Sequence, residues 1–237
     1  MKRLERCHLL SLGLVEYGKA WGMQKDLFQA RSRNEIIDTL ILLQHPPTYT
    51  FGRRSQPGQQ VLEKQVLEKK DSTETAIYWV DRGGGATYHG PGQIVGYPII
   101  GLKSYTSDFH TYLRMLEDVM IGTLAEFNIT SQRLKGYTGV WGDGEKIGSI
   151  GVRIIKGVTM HGFSLNINND LAPFDKIVPC NIQGVEMTSM SKIVGTTLNI
   201  SEVEKSLIDN FSIVFDVTIH PTSSFFSMAK CCALDAW

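Results

Sequence analysis

Two long strand-like runs, Lys146 to Ile155 and Val158 to Asn168, lie end to end with only Lys156-Gly157 between them. That arrangement constrains the fold more than any other feature. A two-residue connection containing glycine can only return the chain beside itself, so the two runs must pair antiparallel. A third run, Gly139 to Trp141, precedes them across Gly142-Asp143-Gly144, which reads as another turn.

Helical patterns flank this region. Tyr17, Trp21, Gln24, Leu27 and Phe28 recur at helical spacing and predict a helix over Tyr17 to Ala30. Phe109, Tyr112, Leu113, Leu116, Val119, Met120, Leu124 and Phe127 form a second stripe, with Ser107 or Asp108 as its cap and Asn128 at its end. Ser201-Glu-Val-Glu204 has the form of a capping box before Val203, Leu207, Ile208 and Phe211. Asp38 to Leu43 is a short apolar run expected as a buried strand, and Ile77 to Val80 reads as another. Strands and helices mix without βαβα alternation. The expectation is α+β, with a mixed, mainly antiparallel sheet flanked by helices. Gly52 to Gln60 is the most loop-like stretch, and a charged segment, Glu63 to Glu74, follows it. One domain is expected over residues 1–237, with 221–237 as an appendage that matches no pattern.

Charge and cysteine content narrow the function. With 24 basic and 24 acidic residues the net charge is zero, so neither nucleic acid nor a membrane surface is an expected partner. Apolar residues make up 42% of the chain, enough for a core, yet no run approaches a membrane span. Cys7, Cys180, Cys231 and Cys232 show no metal or redox spacing. This usage suits a reducing compartment, and a cytoplasmic protein is expected. No metal and no cofactor are expected.

Three segments can carry chemistry. In Arg82-Gly83-Gly84-Gly85-Ala86-Thr87-Tyr88-His89-Gly90-Pro91-Gly92-Gln93, consecutive glycines let the backbone approach a ligand closely, and His89 and Gln93 place polar tips beside it. The spacing is that of neither a Walker loop nor a dinucleotide fingerprint. In Gly144-Glu145-Lys146-Ile147-Gly148-Ser149-Ile150-Gly151, alternation sets Lys146, Gly148, Ile150 and Val152 on one face, with space above the lysine. Taken alone, the spacing favours an edge lysine after a tight turn. In Ile177-Val178-Pro179-Cys180-Asn181, a polar-loop cysteine near a cation can form a thiolate. Cys7, Cys231 and Cys232 lack such a setting. Along the last run His161, Phe163 and Leu165 alternate with Gly162, Ser164 and Asn166, and periodicity does not say which face meets a ligand.

Together these segments resemble the lipoyl(octanoyl) transferase family. The resemblance rests on His45-Pro-Pro-Thr-Tyr-Thr-Phe-Gly-Arg53-Arg54, Asp81 to Gln93, Tyr97-Pro98, Thr138 to Trp141, Lys146-Ile147 with Gly151, His161-Gly162 through Asn168, Asp170-Leu171, Phe174 and Pro179-Cys180. It implies the fold of lipoate and biotin protein ligases. It also implies an acyltransferase that takes octanoyl from octanoyl-acyl carrier protein onto an enzyme cysteine. From there the group passes to a lysine on the lipoyl domain of a 2-oxoacid dehydrogenase complex or on the glycine cleavage H protein. The nucleophile falls on Cys180 and its activating lysine on Lys146. The substrate-binding positions fall on Arg82, Gly83, Gly84, Gly85, Ala86, Thr87, Tyr88 and His89, on Ser149, Ile150 and Gly151, and on Gly162, Phe163 and Ser164. A monomer is expected. Two positions depart from the family pattern: Asn181 stands where glycine is usual, and Gly85 where glutamine is usual. Arg-Gly-Gly-Gly-Ala is closer to the lipoate ligases, so an ATP-dependent ligase on the same fold is the alternative. A non-catalytic binder of acyl carrier or lipoyl domains is a further one.

Overall fold

The computed structural model describes residues 5–55, 75–179 and 182–222. Its centre is β2 (Asp38–Gln44), whose run is buried on both faces. Leu40 and Leu42 enter one apolar core while Ile41 and Leu43 enter another, so successive side chains feed opposite sides of one sheet. β1 (Glu5–Leu14) pairs with β2 in parallel, which demands a crossover, and α1 (Tyr17–Ser32) provides it. From β2 the sheet continues antiparallel through β6 (Gln93–Ile99), β10 (Val158–Asn166), β9 (Glu145–Ile155), β8 (Val140–Gly142) and β7 (Ser131–Gln132). At the other edge β11 (Val217–Pro221) runs parallel to β1. A smaller sheet holds β4 (Ala76–Trp79), β3 (Thr48–Phe51) and β5 (Ala86–His89), in that order. The sheets are thus mixed and mainly antiparallel.

The helices cover both faces. α1 closes the second core by burying Tyr17, Ala20, Gln24, Leu27 and Ala30. α2 (Phe109–Glu126) and α4 (Ile200–Phe215) close the first, and α3 (Met190–Val194) adds Met190. Of the two expected caps for α2, Asp108 is the one used, accepting the Thr111 N–H at 2.6 Å. Asn128 ends that region with φ of 58°. The cap of α4 lies two residues earlier than the sequence suggests. Asn199 accepts the Ser201 N–H and donates to Glu202, so Ser201 sits inside the first turn. Among the described residues, no helix is long and apolar enough to cross a membrane.

Both expected turns hold. Asp143 and Gly144 have φ of 52° and 81°, and Lys156 and Gly157 have 49° and 81°. Two successive positive φ values match the twist of a hairpin. Two expectations about strand faces need correction. In β9, Lys146 pairs with Trp141, but Gly148 pairs with the next residue back, Val140. Ile147 is therefore an extra residue, a bulge that cuts Lys146 off from the alternation beyond it. Gly148 abuts Met120 of α2, and Val152 lies in the first core. In β10, His161 does not share the face of Phe163 and Leu165. Its φ of 56° turns the ring to the opposite side, 6.4 Å from the Trp21 ring of α1.

Of the loop-like and charged stretches, only residues 52–55 are described, and residues 56–74 lie outside. At the C-terminal end, Thr222 donates its N–H to Leu9 beside β11, and residues 223–237 lie outside the described residues.

Candidate active site

The glycine segment bridges the two sheets. Gly83 donates to the Val152 carbonyl of β9 at 2.9 Å, while Gly52, Arg53 and Arg54 donate to the carbonyls of Gly85, Arg82 and Gly84. Arg82 is buried and folds back into its own loop. Its guanidinium donates to Gly85 O at 2.8 Å, to Gly83 O at 3.0 Å, and to Thr50 O at 2.7 Å and Thr50 Oγ1 at 2.8 Å. The planar fork of arginine suits such a set of carbonyls. Gly52 and Gly151 leave the space this side chain occupies; a methyl at either would lie about 3 Å or less from Arg82 atoms.

A narrow cleft opens between the sheets. It brings together Arg82, Thr87 and His89 with Ser149, Ile150 and Gly151, and with Gly162, Phe163 and Ser164. Five other predicted substrate positions do not line it. Gly83, Gly84 and Gly85 wrap the Arg82 guanidinium instead. Ala86 and Tyr88 alternate with Thr87 and His89 along β5, so they face the third core, where Tyr88 packs on Tyr49 and Phe174. Tyr17, Val95, Tyr97 and His161 also line the cleft and were not among the predicted positions. Tyr17 and Tyr97 carry helix and strand patterning that looks like core packing, and His161 reaches the cleft only through its positive φ.

Hydrogen bonds fix the tautomers of His45 and His89. His45 Nδ1 donates to the Val15 carbonyl at 2.6 Å, so Nε2 accepts from Tyr97 OH at 2.8 Å. His89 Nδ1 donates to Gln93 Oε1 at 2.7 Å. Burial disfavours the imidazolium and lowers His45 to about 4. Burial, with the field of His45, lowers His89 to about 3. His161 is held down by burial and by Arg82, Arg153 and Lys25, while its Asp81 partner at 2.7 Å pulls the other way. Burial pushes the Tyr17 hydroxyl up to about 12. His45, His89 and Tyr17 are therefore uncharged at neutral pH.

Lys146 is fully buried. Its Nζ donates to Thr138 O at 3.1 Å and lies 5.0 Å from the centre of the Trp141 ring. No carboxylate among the described residues pairs with it. Its backbone is clamped to a later segment: Lys146 N donates to Glu186 O, and Thr188 N donates to Lys146 O. A polar chain runs from there to the glycine segment. Asn166 donates to Thr188 O at 2.9 Å, Gln93 donates to Asn166 at 2.9 Å, and His89 donates to Gln93.

Cys180 and Asn181 lie outside the described residues. Their neighbours are described. Pro179 bridges to Ala86 at the end of the glycine segment, and Ile182 N donates to Pro179 O at 3.0 Å. A broad groove runs past Leu171, Phe174, Pro179 and Met187. Cys7 is buried in the first core, and burial together with Asp38 raises its thiol far above the reactive range. Cys231 and Cys232 lie outside the described residues.

The lipoyl protein ligase A/B catalytic domain matches residues 16–212. The chain belongs to this family. Within it, the chain is 44% identical over 200 residues to the octanoyltransferase of Rubrobacter xylanophilus, covering 84% of this chain and 89% of that protein. It is 41% identical to that of Flavobacterium psychrophilum, covering 89% and 97%. Solved structures give the fold. A lipoate-protein ligase A bound with ATP matches with a TM-score of 0.68 over 98% of this chain and 94% of that one, at 15% identity. The bi-partite lipoate protein ligase of Thermoplasma acidophilum matches at 0.69, 15% identity, over 98% and 92%. Biotin protein ligase from Aquifex aeolicus matches at 0.51, 14% identity, over 89% and 70%.

Proposed function

We propose that this member of the family is an octanoyltransferase that works through Cys180 and Lys146. The observation that carries the reading is the 44% identity to an octanoyltransferase over most of both chains. The ligases share the fold at about a third of that identity.

In the first half-reaction Lys146 takes the Cys180 proton. The thiolate attacks the thioester carbonyl of octanoyl-acyl carrier protein, a new C–S bond forms, and the phosphopantetheine thiolate leaves, taking the proton back from Lys146. In the second, the amine of a lipoyl-domain lysine attacks the octanoyl-enzyme. The C–N bond forms, the amine proton passes to Lys146, and the Cys180 thiolate departs. Thioester exchange is near balance and amide formation from a thioester is downhill, so the sequence of steps needs no nucleotide. The fully buried Lys146 amine, with one described hydrogen bond, supports its role as the proton carrier. Apolar walls such as Val95, Ile150 and Phe163 suit the alkyl chain. Burying about seven carbons at about 0.8 kcal/mol each contributes roughly 5 kcal/mol before entropy costs. The acceptor is a lipoyl domain of a 2-oxoacid dehydrogenase complex or the glycine cleavage H protein, and the enzyme works as a monomer in the cytoplasm.

Incubation with octanoyl-acyl carrier protein, without ATP, leaves a hydroxylamine-labile octanoyl group on Cys180 by mass spectrometry, absent in Cys180→Ala. An unmodified Cys180 together with ATP-dependent transfer would replace this reading with the ligase.

A further inference from the structure

α2 buries a carboxylate in the middle of its apolar face. Glu117 lies between Leu116 and Val119 and is fully buried. Two arginines reach it from the outer side, Arg114 and Arg133, both on Oε2 and the latter at 2.7 Å. Oε1 points inward and accepts the Gly139 N–H at 2.9 Å. The carbonyl of that same peptide unit, Thr138 O, is the acceptor for Lys146 Nζ. One peptide plane therefore has Glu117 on its N–H end and Lys146 on its C=O end.

We infer that Glu117 is a positioning residue for Lys146, acting through the Thr138–Gly139 peptide. The inference rests on Lys146 being the working amine. Three observations support it. A buried ion pair is often replaceable by apolar residues without loss of stability, so stability alone is a weak reason to keep a carboxylate at this position. An oxygen held on the N–H fixes the peptide plane, and with it the carbonyl that meets Lys146. Gly139 has φ of 132°, open to glycine alone, and a methyl there would lie 2.5 Å from Gly148 O and 2.9 Å from Lys146 Cε. The peptide is thus shaped to let the lysine pass.

Reach and charge separate cleanly by substitution. Glu117→Gln keeps an oxygen for Gly139 N–H but loses the charge that pairs with the arginines. Glu117→Asp keeps the charge but withdraws it by one methylene, and Glu117→Met keeps the volume and loses both. The expected result is a kcat for octanoyl transfer within about threefold of wild type for Gln, despite a lower Tm. Asp and Met should lose about ten- to a hundredfold in kcat, as for a buried hydrogen bond left unmade, with KM for both substrates unchanged. The rate of Cys180 alkylation by iodoacetamide, read without turnover, should fall in Asp and Met as it does in Lys146→Ala. Equal losses in Gln and Asp that track Tm would reduce Glu117 to a structural residue, and so would a wild-type kcat in Asp. If Lys146→Ala slows both readouts while Asp and Met do not, the Lys146 role stands and only this inference fails. If Lys146→Ala itself is at the wild-type rate, the role of Lys146 fails and takes the inference with it.

Discussion

Lowering the pH should destabilise this chain before its carboxylates are neutralised. His45 and His89 are held neutral by burial at about 4 and about 3, against 6.5 for a free imidazole. In the unfolded chain both bind a proton near pH 6.5. Below that pH the unfolded state holds more protons than the folded state, so stability is complete above pH 6.5 and falls as the pH drops toward the folded values. Each histidine contributes a slope approaching about 1.4 kcal/mol per pH unit. Between pH 7 and pH 5 that amounts to roughly 2 kcal/mol each, or about 4 kcal/mol for the pair. A domain with about 5–15 kcal/mol in total would lose a large share of it. Urea unfolding at half-unit steps from pH 7.5 to 5 measures the slope directly. His89→Gln should be less stable than wild type at pH 7, having lost part of its network, yet should show a flatter dependence on pH by up to one proton. A loss under about 1 kcal/mol between pH 7 and 5, or an identical slope in His89→Gln, would refute the assignment of buried neutral imidazoles.

Two further changes test the packing around the lysine. Gly139→Ala forces a methyl against Gly148 O and Lys146 Cε at a φ of 132°. It should cost about 1–3 kcal/mol in stability and lower kcat beyond what the Tm loss accounts for, measured by thermal melts beside transfer assays. Asn166→Ala removes the bridge between Gln93 and Thr188. It should cost about 1–3 kcal/mol for each buried group left without a partner, read by urea unfolding.

The hairpins, the buried strand and the long helices were legible because each has a period and a punctuated end. What was not legible depends on contacts between segments far apart in the chain. β6 carries Gly96 and Pro98 and so reads as broken. Gly96 is there because the Phe163 ring fills the space of its side chain, and a methyl would lie 2.4 Å from the ring. The face of His161 followed from a positive φ that no periodicity encodes. The bulge at Ile147 shows only when β8 and β9 are aligned. For the site, the motifs named Lys146, His89 and the glycine segment but not how they divide the work. Gly83, Gly84 and Gly85 package Arg82 and do not line the cleft. Glu117 was hidden inside an apolar stripe, where a lone carboxylate at a core position was the available signal.

The polar chain from His89 through Gln93, Asn166 and Thr188 to the Lys146 backbone explains why such distant motifs belong together. β5 sits in the small sheet and β9 in the large one, and two sheets joined by apolar contacts alone could slide by fractions of an ångström. Directional hydrogen bonds between buried groups remove that freedom, because each misaligned donor or acceptor would be left unpaired away from water. The cleft wall at His89 and the lysine strand are therefore held as one unit. By the inference above, Glu117 holds the tip of the lysine side chain through the Thr138–Gly139 peptide, as the polar chain holds its backbone. A proton carrier of the proposed kind needs both ends fixed, and the contacts to Lys146 hold its backbone and its amine by separate means.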